Sequence, residues 1–136
     1  MTQRDKELLL KDLCGRLPYG VICECYHTEF DEWDGKPFVA NYNETLINID
    51  VNGFFLAGGF SYEIDEIKPY LRPMSSMTEE EYKEYTEKLK GVFYGSLLDN
   101  ALLIDWLNEK MFDYRGLIPK DIAISTEEYN PYKLEE

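Results

Sequence analysis

Between the alternating run Thr45 to Val51 and the apolar triplet Phe54-Phe55-Leu56, the chain places Asn52-Gly53. A tight type I′ turn needs two consecutive residues at positive φ, and Asn-Gly meets that demand at little cost, so the two runs are expected to pair as antiparallel strands. Thr45, Ile47, Ile49 and Val51 would face one side of that pair, with Leu46, Asn48, Asp50 and Asn52 on the other. A fold open to this chain has to accommodate the hairpin.

Upstream, Val21-Ile22-Cys23-Glu24-Cys25-Tyr26 is rich in strand formers and sets Val21, Cys23 and Cys25 on one face, which predicts another strand. His27 to Pro37 is polar and acidic around Asp34-Gly35 and reads as a loop or hairpin connection. Downstream, Gly58-Gly59 reads as a bulge or bend, and Phe60, Tyr62 and Ile64 resume the alternation. Pro69 and Pro73 make the continuation an edge strand or an extended loop, because proline brings no N–H to a ladder.

Helical periodicity marks three other segments. Leu9, Leu13 and Leu17 recur every fourth residue over 3–16, with Leu10 and Cys14 widening the stripe, Gly15 weakening the last turn and Leu17-Pro18-Tyr19-Gly20 ending it. Thr78-Glu79-Glu80-Glu81 is a capping box that starts a helix over 78–92, stapled by Met77 against Tyr82 and facing inward through Tyr82, Tyr85, Leu89 and Val92. Ser96 with Asp99 opens a third helix over 96–112, whose stripe of Leu98, Leu102, Leu103, Trp106, Leu107 and Met111 predicts deep packing, with Gly116 and Pro119 as terminators. The expected fold class is α+β: one domain over 1–136, an antiparallel sheet of three to five strands within residues 21–71 packed by about three helices, with 125–136 a flexible acidic tail that frays or drapes over the surface.

The 136 residues suffice for one core, and 44% hydrophobic with 15% aromatic residues is the composition of a packed globule. The net charge of −13 disfavours nucleic acid and anionic membrane as direct partners. Residues 21–67 carry ten acids against Lys36 alone, a local balance of −9. Met1 to Lys6 lacks the apolar core of a signal peptide, and no run approaches the ~18 apolar residues of a membrane span. With three cysteines, an odd number and no disulfide framework, the expected location is the cytosol, with reduced thiols.

Chemistry-bearing candidates are few. Cys23, Cys25 and His27 share a strand face, but Cys23 and His27 lie about 13 Å apart along a regular strand, too far to bind one ion, so no metal is expected there. His27 is the lone histidine, and Glu29, Asp31 and Asp34 would raise its pKa if folded close, yet no nucleophile motif accompanies it. Asp50 on one expected strand and Glu66-Ile67-Lys68 on the next look like the active-site pattern of restriction-endonuclease-like nucleases, in which two carboxylates hold Mg²⁺ and the lysine orients the attacking water. Pro69 and the acidic surroundings oppose that pattern. Gly58-Gly59 lacks the residues of a phosphate or dinucleotide loop, and no cofactor follows from it.

Lys68-Pro69-Tyr70-Leu71-Arg72-Pro73-Met74-Ser75-Ser76-Met77-Thr78, then Asp105-Trp106-Leu107 and Phe112-Asp113-Tyr114-Arg115-Gly116-Leu117-Ile118, resemble small uncharacterised proteins of gut Bacteroidetes and their phages, over roughly residues 64–124. The resemblance implies a phage or mobile-element origin and assigns no role to any residue. Arg115 is expected to pair with Asp113 or a free carbonyl at the helix end.

The function expected from these features is a non-catalytic protein-binding module whose acidic, tyrosine-rich surface, with Glu29, Asp31, Glu32 and Asp34 as its binding residues, meets a basic protein surface, as an inhibitor of a host enzyme would. The alternatives are a metal-dependent nuclease using Asp50, Glu66 and Lys68, and a structural or accessory protein that oligomerises.

Overall fold

In the computed structural model, which describes residues 1–95 and 97–133, Thr2 opens helix α1 (Gln3–Arg16) with a capping box. Its hydroxyl accepts the Asp5 N–H at 3.1 Å, and the Asp5 carboxylate accepts the Thr2 N–H at 3.2 Å. The buried face of α1 differs from the expected one. Leu10 and Cys14 are exposed, and the inward stripe is Leu9, Asp12, Leu13 and Arg16. A charged pair takes two positions of that stripe, so apolar spacing alone misplaces it. Arg16 Nε lies 2.8 Å from Asp12 Oδ2, and Nη2 donates to Phe112 O at 2.5 Å, tying α1 to a segment 96 residues on. Gly15 sits where a Cβ would come within 3.0 Å of Asn108 Nδ2, so its place in the helix serves a close approach.

Strand β1 (Ile22–Phe30) pairs antiparallel with β2 (Pro37–Ile49) from Ile22↔Thr45 to Phe30↔Pro37. The stretch expected as a loop from His27 is therefore strand as far as Phe30; its inward positions carry the polar His27 and Glu29, so no apolar alternation marks it. Asp50 to Gly53 turns β2 into β3 (Phe55–Ala57), the hairpin expected from Asn52-Gly53. Gly58 and Gly59, at φ 57° and 83°, form the two-residue turn to β4 (Phe60–Tyr62) rather than a bulge. A 3₁₀ turn, Ile64–Glu66, leads into β5 (Ile67–Leu71).

Among the described residues the sheet has six strands in the order β4-β3-β2-β1-β5-β6, with the short β6 (Ile124–Ser125) parallel to β5. The α+β class and the three helices agree with expectation; the sheet is mixed and one strand wider than five. Nor is β5 an edge. It lies between β1 and β6, and Pro69 is accommodated because β6 pairs only with Tyr70 and Leu71, leaving Pro69 without a partner on that side.

Helix α1 covers the face formed by Val21, Cys23, Cys25, Leu46, Phe55, Ala57, Tyr62, Ile67 and Leu71, all nearly or fully buried. Burial of the Val, Leu, Ile and Phe side chains among them contributes about 1.5–3 kcal/mol each relative to exposure. Helix α2 (Glu79–Phe93) and α3 (Leu97–Glu109) pack on each other around Leu103, Trp106, Leu107 and Phe112. Thr78 and Glu81 form the expected capping box, whereas the Ser96 cap lies outside the described residues. Only the lower half of the α3 stripe is deep; Leu98 is 67% exposed and Leu102 48%. The helix stops at Glu109, well before Gly116, because Met111 adopts φ 62° and the Phe112 N–H bonds Leu107 O while the Met111 N–H bonds Asn108 O, a Schellman closure with methionine in the usual glycine place.

Beyond β6, Thr126 N donates to Leu71 O, the Tyr129 ring meets Tyr70 edge-on, and Tyr132 packs against the core with its hydroxyl donating to Tyr70 O at 2.8 Å. No helix among the described residues is long and apolar enough to cross a membrane.

Candidate functional site

The β1–β2 hairpin outruns the helices. Helix α1 packs on the end of the pair near Val21 to Cys25, and every residue from Asp31 to Val39 is exposed. The turn itself is tightly built. Asp31 N donates to Lys36 O and Gly35 N to Asp31 O, both at 2.9 Å, with Gly35 at φ 68°. Asp31 Oδ1 accepts the N–H groups of Trp33 at 2.7 Å and Asp34 at 3.2 Å, and Asp34 Oδ1 accepts that of Lys36 at 2.9 Å. These Asx bonds hold a defined turn that presents Trp33, 95% exposed, beside Glu32, with Phe30 at 67% and Phe38 at 47% flanking it. An indole standing in water between carboxylates is a costly surface unless something covers it.

The base of this arm is pinned by His27. Its ring stacks between Tyr42, with centroids 5.1 Å apart, and Phe60, at 4.7 Å. Nδ1 lies 3.1 Å from the Tyr62 hydroxyl and Nε2 3.0 Å from Glu29 Oε1, which also accepts from the Tyr42 hydroxyl at 2.8 Å. Those two bonds hold the Glu29 carboxyl below its usual range, and burial pushes the Tyr62 hydroxyl up to about 12. With Glu29 ionised, Nε2 donates to it. The chain of groups resembles a proton relay in its chemistry, but Tyr62 is 1% exposed and Phe60 lies over the imidazole, so the relay ends in the core. It acts as a clamp between β1, β2 and β4. Of the acids expected around His27, Glu29 alone bonds it, while Asp31 and Asp34 serve the turn.

The nuclease candidates are engaged separately. Asp50 Oδ1 accepts the N–H groups of Asn52 and Phe54, at 2.9 and 3.0 Å, and so closes its own hairpin. Glu66 Oε1 accepts the Glu63 N–H at 2.8 Å, and Lys68 Nζ is 3.5 Å from Asp121 Oδ1. No hydrogen bond or ion pair joins any two of the three. Glu63, Asp65 and Glu66 bring carboxylate oxygens within 4.8 Å of one another, a proximity that the reciprocal capping of the Ile64–Glu66 turn accounts for. Cys23 and Cys25 are buried small side chains, and burial pushes the Cys25 thiol up to about 12.

Of the binding residues expected from sequence, Asp31, Glu32 and Asp34 gather at the tip, while Glu29 belongs to the clamp. The acidic third is otherwise divided: Glu24 lies on the outer sheet face, 2.9 Å from the Tyr70 hydroxyl, and Glu44 on the inner one. Sequence reasoning missed Trp33, though a tryptophan between Glu32 and Asp34 beside Asp-Gly was a signal in plain view. Arg115 also departs from expectation. Its guanidinium lies over the Tyr114 ring, near Asp12, because Asp113 accepts the N–H groups of Leu117 and Ile118 instead.

Comparison with known proteins finds no matching family model, no similar curated protein and no similar solved structure.

Proposed function

We propose that the chain is a non-catalytic protein-binding module that engages its partner through the tip of the β1–β2 hairpin. The observation that carries this is Trp33, 95% exposed on a turn fixed by Asp31 and Asp34. Exposed tryptophan anchors dominate interface energetics when they enter a pocket, and a rigid turn reduces the ordering cost of binding. The carboxylates of Asp31, Glu32 and Asp34 around the indole fit an apolar pocket rimmed by lysine or arginine, and they would steer the encounter. A host protein with such a basic rim is the expected partner if the chain is of phage or mobile-element origin, and its cytosol the expected location.

The test is photo-crosslinking from a benzophenone amino acid placed at position 33 or, as a control, at Val51, which is fully exposed in another turn. One host protein crosslinked from 33 and absent from 51 supports the proposal; crosslinks of equal pattern from both positions, or none, refute it.

Self-association draws support from a second apolar surface at the α2–α3 junction, where Phe93, Tyr94, Leu97 and Leu98 are each at least 67% exposed. A sedimentation mass that falls to that of one chain in Leu97→Glu/Leu98→Glu would establish it; a wild-type chain already of monomer mass at high concentration would dismiss it.

A further inference from the structure

Four of the fourteen basic side chains converge on one cavity. Arg4 and Lys11, with Glu7 and Leu8 between them, project from one face of α1 at the i, i+3, i+4, i+7 spacing, and Arg115 and Lys120 close the opposite wall. The cavity has a volume of about 380 Å³. Four cations face one acid here, in a chain where acids outnumber bases 27 to 14.

Three of these four cations form no ion pair with the protein's own described carboxylates. Arg4, Lys11 and Lys120 form no hydrogen bond or ion pair within 4.0 Å among the described residues, although Lys68, Arg72 and Lys90 all do. Among the described residues Arg115 Nε is buried without a hydrogen-bond partner; it forms a 3.5 Å ion pair with Asp12, a carboxylate that Arg16 already holds at 2.8 Å. Stacking on Tyr114 fixes the plane of the Arg115 fork. Like charges held together with less counter-charge than they need, here Glu7 and the shared Asp12, raise the local potential, and a bound anion relieves it.

We infer that this cavity binds a polyphosphate, two or three linked phosphate groups free or carried on an organic moiety. Seven residues of helix separate Arg4 from Lys11 by about 10 Å, a span that suits a triphosphate chain and exceeds a single phosphate. The arginines offer forked donors and the lysines point charges, the usual division of work around phosphates. No aromatic ring lines the cavity among the described residues, so the phosphate chain is what it recognises.

The experiment is isothermal titration of the full chain with tripolyphosphate, ATP and orthophosphate at matched ionic strength. Tripolyphosphate and ATP should bind within about threefold of each other and orthophosphate at least about tenfold more weakly, since each charge-assisted hydrogen bond to a phosphate oxygen is worth about a factor of ten or more. ATP binding with tripolyphosphate silent would instead place recognition on the nucleoside and overturn the inference. Lys11→Glu/Lys120→Glu should weaken binding at least about 100-fold by the same reckoning. These side chains are exposed, so the fold should survive; Lys11→Gln, weaker by about tenfold, serves if it does not. Lys83→Glu/Lys90→Glu changes the net charge equally on another helix and should leave affinity unchanged. No heat with either polyphosphate, orthophosphate bound as tightly, or equal weakening in the two charge-reversed pairs would each refute the site.

Discussion

Arg72 and Glu81 face each other fork to fork across the junction between β5 and α2, Nη1 to Oε2 at 2.8 Å and Nη2 to Oε1 at 2.6 Å. The same carboxylate accepts the Thr78 N–H at 3.0 Å, and the guanidinium lies 4.2 Å from the centroid of the Phe112 ring. One acid thus caps a helix and docks it on the sheet. Arg72 N also donates to Met111 O, and Asp113 N to Arg72 O. The stretch that leads from β5 into α2 and the turn that follows α3 are therefore bonded to each other.

The pair makes stability depend on pH in a defined window. The Arg72 guanidinium holds the Glu81 carboxyl down at about 2, from an ordinary 4.5. A group whose folded pKa is depressed stabilises above its unfolded pKa and loses that contribution as pH falls through the folded one. Glu81→Gln should lower stability at neutral pH by on the order of 2 kcal/mol, and its deficit should shrink between about pH 4.5 and 2. Denaturant titrations of both proteins at several pH values measure it; a deficit independent of pH would mean that the charge of Glu81 contributes nothing.

Thr78→Ala removes the hydroxyl that accepts the Glu81 N–H at 3.1 Å. The expected cost is about 1 kcal/mol, typical for removal of a side-chain cap, with the fold retained. The melting temperature reads it directly.

Gly58 and Gly59 separate two costs at one turn. A Cβ at Gly58 would lie 2.6 to 2.9 Å from Glu44 side-chain atoms and sit at φ 57°, while one at Gly59 meets open space. Gly58→Ala should cost about 1–2 kcal/mol or more, and Gly59→Asn a few tenths, since asparagine tolerates the left-handed region. Equal costs in the two would show that the Glu44 side chain is immaterial.

Where one signal dominated, the sequence was legible. The Asn52-Gly53 turn, the Thr78 capping box and the 3–16 helix stand where local chemistry puts them, because few alternatives satisfy those residues. What escaped has a physical cause in each case. The Asp12–Arg16 pair is buried in place of Leu10 and Cys14, since a paired charge can take core positions that apolar periodicity never assigns to it. Phe30 ends a strand that reads as loop because His27 and Glu29 hold its inward positions through hydrogen bonds and ring stacking in place of apolar packing. The width of the sheet depends on Ile124 and Ser125, two residues too short to signal a strand. The acids of the tip were legible as composition, but their division between turn bonds and free charge was not.

For the nuclease alternative, Mg²⁺ or Mn²⁺ with plasmid or single-stranded DNA should give no cleavage. Asp50 is bonded into its own turn and Lys68 faces Asp121, leaving no shared metal geometry. Cleavage that disappears in both Asp50→Ala and Glu66→Ala would reverse this.

The turn bonds determine which substitutions isolate the hairpin tip as a binding surface. Reversing Glu29, Asp31, Glu32 and Asp34 together would dismantle the clamp and the turn along with the charge, whereas among the described residues Glu32 makes no side-chain hydrogen bond or ion pair and neither does Trp33. The decisive measurement is affinity capture from host lysate with the tagged wild type, Trp33→Ala and Glu32→Lys at low and physiological salt. A stoichiometric partner should bind the wild type and weaken with salt as screening shortens to about 8 Å. It should be absent with Trp33→Ala and weakened with Glu32→Lys, with melting temperatures unchanged. A partner retained equally by all three proteins would contradict the account, placing the interface elsewhere and leaving the hairpin tip without a role in binding.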